Sequence, residues 1–487
     1  MASPPETQTK SKAKSQAQSR GTAQPQSPVA PTRVRDTPEG TPLTMRRVAQ
    51  TWWPLAAGWF LMTVEIPLIS AVVARTVDPE INLATWGVIF SIALILASPV
   101  MMLLSASTAF CRDWPSYIKI RRYTWIITGG LTALHALIAF TPLYYFIAET
   151  LLATPAELVE PARIGLIIML PYVPSLAYRR FNYGVLIRFG HSSAVTFGAM
   201  TRLGLDVITI SIIFLLGGMP GAFLAATTFT LSVCGEAIYS GLRLRPVLRD
   251  ELRQAPPNRE QITARSFGAF FMPLVMTSML QILIQPLGTA ALSRMPDPIL
   301  SLAVWPVVYG LIIMWTSSGM AFTEAVVVLL DQPRSTAILH NFTVRLGALM
   351  IGLLLIMNAT PLTDIWFQTV AALPPDLAQI AGWVLWLALL LPGLSFLQSW
   401  YTGALVTERH TRGITEAMLV SLLVHAGILG FGIVWQEIPG LYIGSIALVA
   451  GHLTRTLWLW YRTRPAMRHL RARDDRLYPI GSPTSQQ

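Results

Sequence analysis

The first long apolar stretch of this chain occurs a second time further along the sequence. When the numbering is shifted by 219, so that Pro54 falls on Pro273, 13 of the 35 positions from Pro54 to Val88 are identical. The match returns far downstream, where Arg243-Leu-Arg245-Pro246 corresponds to Arg462-Thr-Arg464-Pro465. A fixed period of this kind marks a duplicated structural unit. The chain is therefore predicted to contain two copies of one fold.

The composition indicates that most of both copies lies in a lipid membrane. The sequence is 53% apolar and 13% charged, with a mean hydropathy of +0.51, which is outside the range of ordinary soluble domains. The net charge of +11 does not predict a nucleic-acid partner, because the basic residues lie between apolar stretches and not in a patch interleaved with aromatics. Two cysteines are too few for a disulfide framework or a metal cluster, and no metal or cofactor is expected.

Twelve apolar stretches are long enough to cross a bilayer as helices, since a crossing needs roughly 20 residues. The predicted fold is therefore an all-α integral membrane protein with twelve transmembrane helices. The predicted spans are 52–75, 82–110, 123–147, 162–187, 194–217, 220–242, 266–293, 301–330, 342–367, 379–406, 414–435 and 439–461.

The distribution of positive charge orients these spans. With the N-terminus inside, only Arg75, Arg163 and Arg294 of the 36 basic residues fall on the far side of the membrane. Basic clusters at 112–122, 243–265 and 462–476 mark the other side, called here the basic face. Because positive charge is retained in the cytoplasm, both termini are predicted to be cytoplasmic, in a multi-pass protein of the cell membrane.

Six spans per copy is an even number, so both copies run in the same direction through the membrane. This parallel repeat is typical of transporters in which two lobes enclose a central cleft. A monomer is expected. The predicted organisation is a disordered tail at 1–45, a six-helix lobe at 46–242, a linker at 243–265, a second six-helix lobe at 266–462 and a basic tail at 463–487.

Each copy contains an Arg-x-x-Asp-Pro motif after its first span. Asp followed by Pro is typical of a helix start, where the Asp side chain caps free N–H groups, and the arginine suits the end of the preceding helix. A less favoured alternative is the acidic metal motif of lipid-linked-sugar glycosyltransferases, with Asp78 and Glu80. The second copy argues against it, because Ile299 replaces Glu80 there.

Pro67 and Pro286 lie in the middle of the first span of each copy. Each removes one backbone hydrogen bond and predicts a helix kink. The kinks are consistent with simple packing and equally with a hinge that bends during gating.

Charged residues inside the spans need either a partner or a function, because an unpaired charge in lipid is costly. Glu65 lies near the predicted midplane and is a candidate for binding a coupling ion, with pairing to a neighbouring helix as the alternative. Arg179 and Arg180 lie in the inner part of the fourth span. Their side chains either extend to the membrane–water interface or form a binding site for carboxylate or phosphate.

The remaining charged residues are assigned by spacing and by the repeat. Arg202 and Asp206 are four residues apart on one helix, and mutual neutralisation is the favoured interpretation. Glu236 and Arg455 are repeat-related, which suggests an ion pair between the lobes that opens and closes a gate. The candidate substrate-binding residues are thus Arg179, Arg180, Arg202 and Arg455, and the candidate ion-coupling residues are Glu65, Asp206, Glu236 and Glu324.

These features resemble the multidrug/oligosaccharidyl-lipid/polysaccharide (MOP) exporter superfamily, with a MATE-like arrangement of two six-helix lobes. Within it, the chain is most similar to the progressive ankylosis (ANK) protein family. The resemblance covers residues 46–465 and rests on short motifs: Trp52-Trp53-Pro54-Leu55, Pro286 with Ser293-Arg294, Thr323-Glu324 and the region around Gly403. It implies export of small polyanions, and it transfers no defined binding residue to this chain.

The sequence therefore predicts a secondary transporter that exports a small anionic solute by alternating access, coupled to H⁺ or Na⁺. Arginine cannot carry the coupled proton because its pKa is too high, so the carboxylates are the coupling candidates. The alternatives are a flippase for a lipid-linked pyrophosphate sugar and a cation-coupled multidrug exporter. An enzyme or a nucleotide-driven pump is not expected, since the sequence contains none of the corresponding motifs.

Overall fold

The computed structural model describes residues 43–256, 262–330, 332, 334–408 and 412–477. The predicted disordered tail lies outside the described residues up to position 42, as do residues 478–487. Twelve long helices match the twelve predicted spans. They are α1 (Met45–Val73), α2 (Pro79–Phe110), α3 (Trp114–Phe140), α4 (Ala156–Ile168 followed by Tyr172–Arg188), α5 (Ser193–Leu216), α6 (Gly221–Leu252), α7 (Ala264–Leu292), α8 (Pro298–Leu329), α9 (Ser335–Ala359), α10 (Pro375–Thr407), α11 (Arg412–Trp435) and α12 (Gly440–Leu477).

Ten of these helices are long and apolar enough to cross a membrane, as judged within the described residues. The other two are α4, which is interrupted between Ile168 and Tyr172, and α12, which carries the basic C-terminal segment. Both occupy the places in the repeat that correspond to α10 and α6. The protein is a multi-pass membrane protein, because so many long apolar helices are stable only within a lipid bilayer.

The backbone confirms the internal repeat in detail. Asp78 and Asp297 adopt nearly the same left-handed conformation, with φ/ψ of 50°/60° and 51°/58°. After α3 and α9 the chain forms two equivalent π-helical turns, Phe146–Leu151 and Ile365–Val370. Ala153 and Ala372, which follow these turns, have φ of 50° and 54°. Every one of these pairs obeys the shift that relates Pro54 to Pro273, so the two lobes are two copies of one fold.

The Asp-Pro motif starts a helix in both lobes, but not in the predicted way. Neither aspartate side chain caps its helix; both residues supply a left-handed turn, which Asp tolerates better than most residues. The residue four positions later makes the useful contact. Asn82 Oδ1 accepts the Ala222 N–H of α6 at 2.9 Å, and Ser301 Oγ accepts the Leu441 N–H of α12 at 3.2 Å.

The predicted interruptions in the first helix of each lobe are present. Regular α-helix ends at Thr63 and resumes at Glu65 in α1, and it ends at Ile282 and resumes at Ile284 in α7. Each break lies just before Pro67 or Pro286, which have no N–H to continue the hydrogen-bond ladder. Glu65 is therefore the first residue of the helical segment that follows the break.

Parts of the predicted C-terminal tail and linker are helical. Helix α12 continues to Leu477, and within this extension Leu470 is fully buried and Asp474 Oδ2 accepts the Thr336 N–H at 3.1 Å. The first part of the predicted basic tail, residues 463–477, therefore packs on the C-terminal lobe as a helix. Similarly, α6 continues into the predicted linker as far as Leu252.

At the basic face, the first helix of each lobe packs against the other lobe. The Trp52 indole N–H of α1 donates to Ser318 O of α8 at 2.9 Å, and its ring packs 6.0 Å from that of Phe342. In the same way, Phe267 and Phe270 of α7 pack on Phe110 of α2, with ring centroids 6.1 and 5.1 Å apart. The first helix of each lobe thus forms an aromatic contact with the other lobe.

At the far face, two arginines join the lobes reciprocally. Arg75 donates to Thr369 O at 2.5 Å and to Val370 O at 2.8 Å, and Arg294 donates to Thr150 O and Leu151 O at 2.7 Å. The acceptors are the π-helical turns of the opposite lobe. These arginines were expected only to complement their own helix dipoles. The structure gives them a second role, because their side chains hold the far ends of the lobes together.

Replacing both Arg75 and Arg294 by Gln should loosen the far face. A hydrogen bond to a charged group contributes about 1.5 to 3 kcal/mol, so the fraction of molecules open at this face should rise by about tenfold or more. Spin labels at Leu215 and Val434, which are repeat-related and exposed, report the separation. The expected result is a population at longer distance in double electron–electron resonance.

The matched control is Arg163→Gln, because Arg163 also lies at the far face but bonds only within its own lobe, to Ala139 O and Tyr145. An unchanged distance distribution in the Arg75/Arg294 variant would show that these bonds do not hold the lobes closed.

Candidate functional site

Six of the eight predicted ionisable residues line a single cavity in the N-terminal lobe. They come from four helices that are far apart in sequence. Glu65 lies on α1, two arginines on α4, Arg202 with Asp206 on α5, and Glu236 on α6; the full set is Glu65, Arg179, Arg180, Arg202, Asp206 and Glu236. We call these six residues the charge cluster. The expected location was the cleft between the lobes, whereas every residue that lines this cavity belongs to the N-terminal lobe.

Glu65 and Arg202 form a two-pronged ion pair that joins α1 to α5. Arg202 Nη2 lies 2.6 Å from Glu65 Oε2, and its Nε donates to Oε1 at 2.9 Å. The guanidinium also lies 4.9 Å from the ring centre of Phe229 on α6. This planar fork geometry is one that arginine satisfies and lysine does not. The pair satisfies Glu65, which is 6% exposed, in a place where a lone carboxylate would be costly.

Glu236 is held by α4 and not by the other lobe. Its carboxylate is paired with the Arg179 guanidinium and accepts the Tyr183 hydroxyl at 2.9 Å, while Arg202 Nη1 lies 4.0 Å away. The predicted ion pair between Glu236 and Arg455 is therefore absent from this conformation. The reason is proximity within the lobe, since Arg179 reaches Glu236 directly.

Two members of the cluster have no ion-pair partner among the described residues. Asp206 is fully buried next to the Ser232 hydroxyl and the Glu65 carboxylate, but neither of its oxygens forms a hydrogen bond of good geometry. Its predicted partner, Arg202, turns toward Glu65 instead. Arg180 contacts only the Met101 sulfur, at 3.2 Å from Nη2, and its Nε is unpartnered. The cluster thus combines two ion pairs with one free carboxylate and one free guanidinium.

The cavity is small in this conformation, at about 40 Å³. One ordered water needs roughly 10 to 15 Å³ measured in this way, so there is room for a few waters or a small cation. A multi-atom solute needs a wider cavity. The structure therefore shows the cluster in a contracted state.

The C-terminal lobe carries no equivalent cluster. Its repeat-related residues are largely uncharged, and two of them form hydrogen bonds with neighbours outside the set. Gln398, the counterpart of Arg179, donates to Thr456 Oγ1 at 2.9 Å, and Ser421, the counterpart of Arg202, donates to Gly451 O at 2.8 Å. The complete set of counterparts is Ile284, Gln398, Ser399, Ser421, His425 and Arg455. The C-terminal lobe thus has the same helical fold but lacks most of the charged residues of the cluster.

The other two predicted residues lie outside the cavity. Arg455 is on α12, with its Nε unpartnered, and Glu324 is on α8 beside Trp59. Among the in-span histidines, His135 bonds to Leu166 O at 3.1 Å and His452 contacts Gln398. Within the described residues, no group of three or more His, Cys, Asp or Glu side chains has the arrangement of a metal site.

Sequence reasoning missed Tyr183 and Phe229 as members of the site. Tyr183 follows Arg179 by four residues and therefore shares its helix face, so helical spacing contained a signal for it. Nothing in the sequence pointed to Phe229, because its contact with Arg202 depends on how α5 and α6 pack.

The described geometry defines a polytopic membrane protein of two parallel six-helix lobes with a charged cavity in the first. Solved structures with this fold are MATE transporters and the flippase MurJ, both of the MOP superfamily. An inward-facing MATE multidrug resistance transporter matches with a TM-score of 0.62 at 15% identity, over 89% of this chain and 96% of that one. The lipid II flippase MurJ in an inward closed conformation matches with 0.64 at 13% identity, over 87% and 90%.

A eukaryotic MATE transporter, AtDTX14, matches with a TM-score of 0.58 at 12% identity, over 88% of this chain and 99% of that chain. The sequence itself matches no protein-family model and no curated protein. The predicted MOP-type, MATE-like fold is thus confirmed at the level of three-dimensional structure.

Glu236→Gln should destabilise the N-terminal lobe. It leaves Arg179 buried without a counter-charge, which costs about 3 to 5 kcal/mol in comparable buried pairs. The double variant Arg179→Gln with Glu236→Gln should recover most of the loss, because no buried charge remains. The free energy of unfolding in detergent micelles measures both effects.

The surface variant Asp250→Asn is the control, since its ion pair with Arg249 is solvent-exposed and should leave the free energy of unfolding almost unchanged. If the double variant is as unstable as the single one, the charge-compensation account of this pair is wrong.

Proposed function

We propose that this protein is a secondary transporter that exports an anionic solute by alternating access, and that the charge cluster is its coupling site. One observation carries the proposal. Six ionisable side chains converge on one cavity of the first lobe, while the equivalent positions of the second lobe have lost almost all charge. Buried charges of this number are expensive in a membrane protein and mark ion or substrate pathways. The likeness to exporters and a flippase supports transport as the class.

The cluster contains a simple switch. Arg202 is bound to Glu65 of α1, and the free carboxylate of Asp206 lies one turn away on the same helix as Arg202. Protonation of Glu65, or its binding of Na⁺, weakens its hold on Arg202. The guanidinium then turns to Asp206, so it never remains buried without a partner. The step releases α1 from α5 next to the break in α1 at Val64.

Arg180 supplies the anion-binding group in this proposal. It faces the cavity without a carboxylate partner, and a guanidinium binds carboxylate or phosphate through two parallel hydrogen bonds. A cavity of about 40 Å³ cannot admit such a solute, so binding requires release of α1. The two events are coupled, because binding of the proton or Na⁺ by Glu65 releases α1, and the release of α1 opens the anion site.

The lobe contacts support a resting state that is closed at both faces. The reciprocal bonds of Arg75 and Arg294 close the far face, the aromatic contacts of Trp52 and Phe270 join the lobes at the basic face, and MurJ in an inward closed conformation matches with a TM-score of 0.64. On the predicted topology, the cytoplasm lies at the basic face.

One observation favours a second candidate, a flippase for a lipid-linked pyrophosphate sugar. The cavity wall on α1 includes Met62, which is 41% exposed on the surface of a helix that is long and apolar enough to cross the membrane. Opening between α1 and α5 would therefore connect the arginines directly with the bilayer. MurJ, which matches with a TM-score of 0.64, is a flippase of lipid II.

The decisive experiment is uptake by proteoliposomes offered citrate, pyrophosphate, a nucleotide or a cationic dye, under a proton or a sodium gradient. Transport of an anion should fall by at least about tenfold in Arg180→Ala and should lose its gradient dependence in Glu65→Gln, since the two residues have separate roles. Arg188→Ala is the matched control for Arg180, because Arg188 is an exposed arginine on the same helix.

The outcomes separate the alternatives. Dye transport that survives Arg180→Ala but is abolished by Glu65→Gln would replace the anion model with a multidrug exporter. Scrambling of a lipid-linked pyrophosphate sugar without movement of any soluble solute would establish the flippase instead. Anion transport that is unchanged in both variants would remove the charge cluster from the mechanism.

A further inference from the structure

A second cavity lies near the basic face of the N-terminal lobe, between α3, α4 and α6. Its volume is about 190 Å³, several times that of the charge-cluster cavity. Two arginines line it, Arg121 of α3 and Arg245 of α6, and no acidic residue does. Neither arginine forms an ion pair among the described residues. A pocket this size with uncompensated positive charge suits an anionic group.

The deeper wall of the cavity is polar and unsatisfied. Thr124 and Thr128 line it with side chains that are 4% and 2% exposed, and neither hydroxyl has a hydrogen-bond partner. They follow Arg121 at helical spacing on α3, so guanidinium and hydroxyls lie on one face. Buried hydroxyls are normally bonded, and these two are available to donate to an oxygen-bearing ligand in the cavity.

The remaining wall is aromatic and exposed at the surface of the protein. Trp125 of α3 is 53% exposed and Tyr178 of α4 is 37% exposed, with ring centroids 6.2 Å apart. Trp125 lies at the start of the predicted span 123–147, and tryptophan at the end of a span is typical of the headgroup region. On the predicted topology, the cavity is therefore next to the lipid headgroups of the leaflet at the basic face.

The repeat provides an internal comparison. At the equivalent place in the C-terminal lobe, Trp400 replaces Phe181 and Trp460 replaces Gly241. Trp400 is fully buried beside His340, the counterpart of Arg121, and Arg464, the counterpart of Arg245, lies 3.6 Å from the ring centre of Trp460. Indole rings occupy the space there. The empty volume in the N-terminal lobe is therefore not a requirement of the fold.

We propose that this cavity binds the phosphate headgroup of an anionic phospholipid from the leaflet at the basic face. Arg121 and Arg245 hold the phosphate, Thr124 and Thr128 donate to its oxygens or to the glycerol, and the acyl chains leave past Trp125. Basic pockets between membrane helices on the cytoplasmic side recognise phospholipids in this way. A soluble phosphate ester has the same headgroup chemistry, but it gains nothing from the lipid-facing aromatic wall.

Native mass spectrometry of the purified full-length chain tests the proposal, with phosphatidylglycerol, phosphatidylcholine and soluble glycerol phosphate as probes. One phosphatidylglycerol should bind in preference to phosphatidylcholine. The double variant Arg121→Ala with Arg245→Ala should weaken that binding by about 10- to 30-fold, since each basic residue near the headgroups contributes a similar share. The control is Arg122→Ala with Arg243→Ala, which removes the same charge from the same helices at positions that are equally exposed but do not line the cavity.

A milder variant, Thr124→Val with Thr128→Val, keeps the arginines and should reduce binding while preserving the fold. The proposal is overturned if the Arg121/Arg245 variant binds phosphatidylglycerol as well as the Arg122/Arg243 control does. Glycerol phosphate that binds without lipid and displaces phosphatidylglycerol would instead identify a site for a soluble anion. Neither outcome depends on transport, so the test is separate from that of the proposed function.

Discussion

Charge inside a membrane has to be compensated within the protein, and this constraint organises the N-terminal lobe. Glu65, Arg202, Glu236 and Arg179 bring α1, α4, α5 and α6 to one point through two ion pairs. Each pair joins helices that are distant in sequence. Burying these groups singly would cost several kcal/mol apiece, so their pairing determines which helix faces point inward. Among the described residues, Asp206 forms no ion pair, and the proposed switch depends on this.

Duplication explains which parts of the structure serve the fold and which serve the site. The left-handed aspartates, the π-helical turns and the contacts of Asn82 and Ser301 recur at equivalent positions of the two lobes. These features depend on the backbone and on helix packing, which both lobes need. The charge cluster and the cavity between α3, α4 and α6 are not repeated, because mostly neutral side chains and indole rings occupy the equivalent positions. The two lobes therefore share one scaffold and differ in the residues that we propose to carry function.

Helix α4 connects the two cavities of the N-terminal lobe. Arg179, Arg180 and Tyr183 face the charge cluster, while Tyr178, Phe181 and Asn182 line the cavity at the basic face. The two sets alternate along one helix, as its 3.6-residue period requires. An occupant of either cavity therefore bears on the same helix. The lobes themselves are joined at both ends, by aromatic packing at the basic face and by Arg75 and Arg294 at the far face.

The sequence by itself determined the twelve helices, the repeat, the helix breaks before Pro67 and Pro286, and the ionisable residues that lie in the membrane. These follow from local hydropathy and backbone chemistry, which neighbouring residues decide. Only the tertiary structure decided the partners. Arg202 chooses Glu65 over the nearer-in-sequence Asp206, Glu236 chooses Arg179 over its repeat mate Arg455, and Arg75 reaches Thr369 in the other lobe. Such choices depend on how helices rotate and pack against one another, and spacing along the chain carries no information about that.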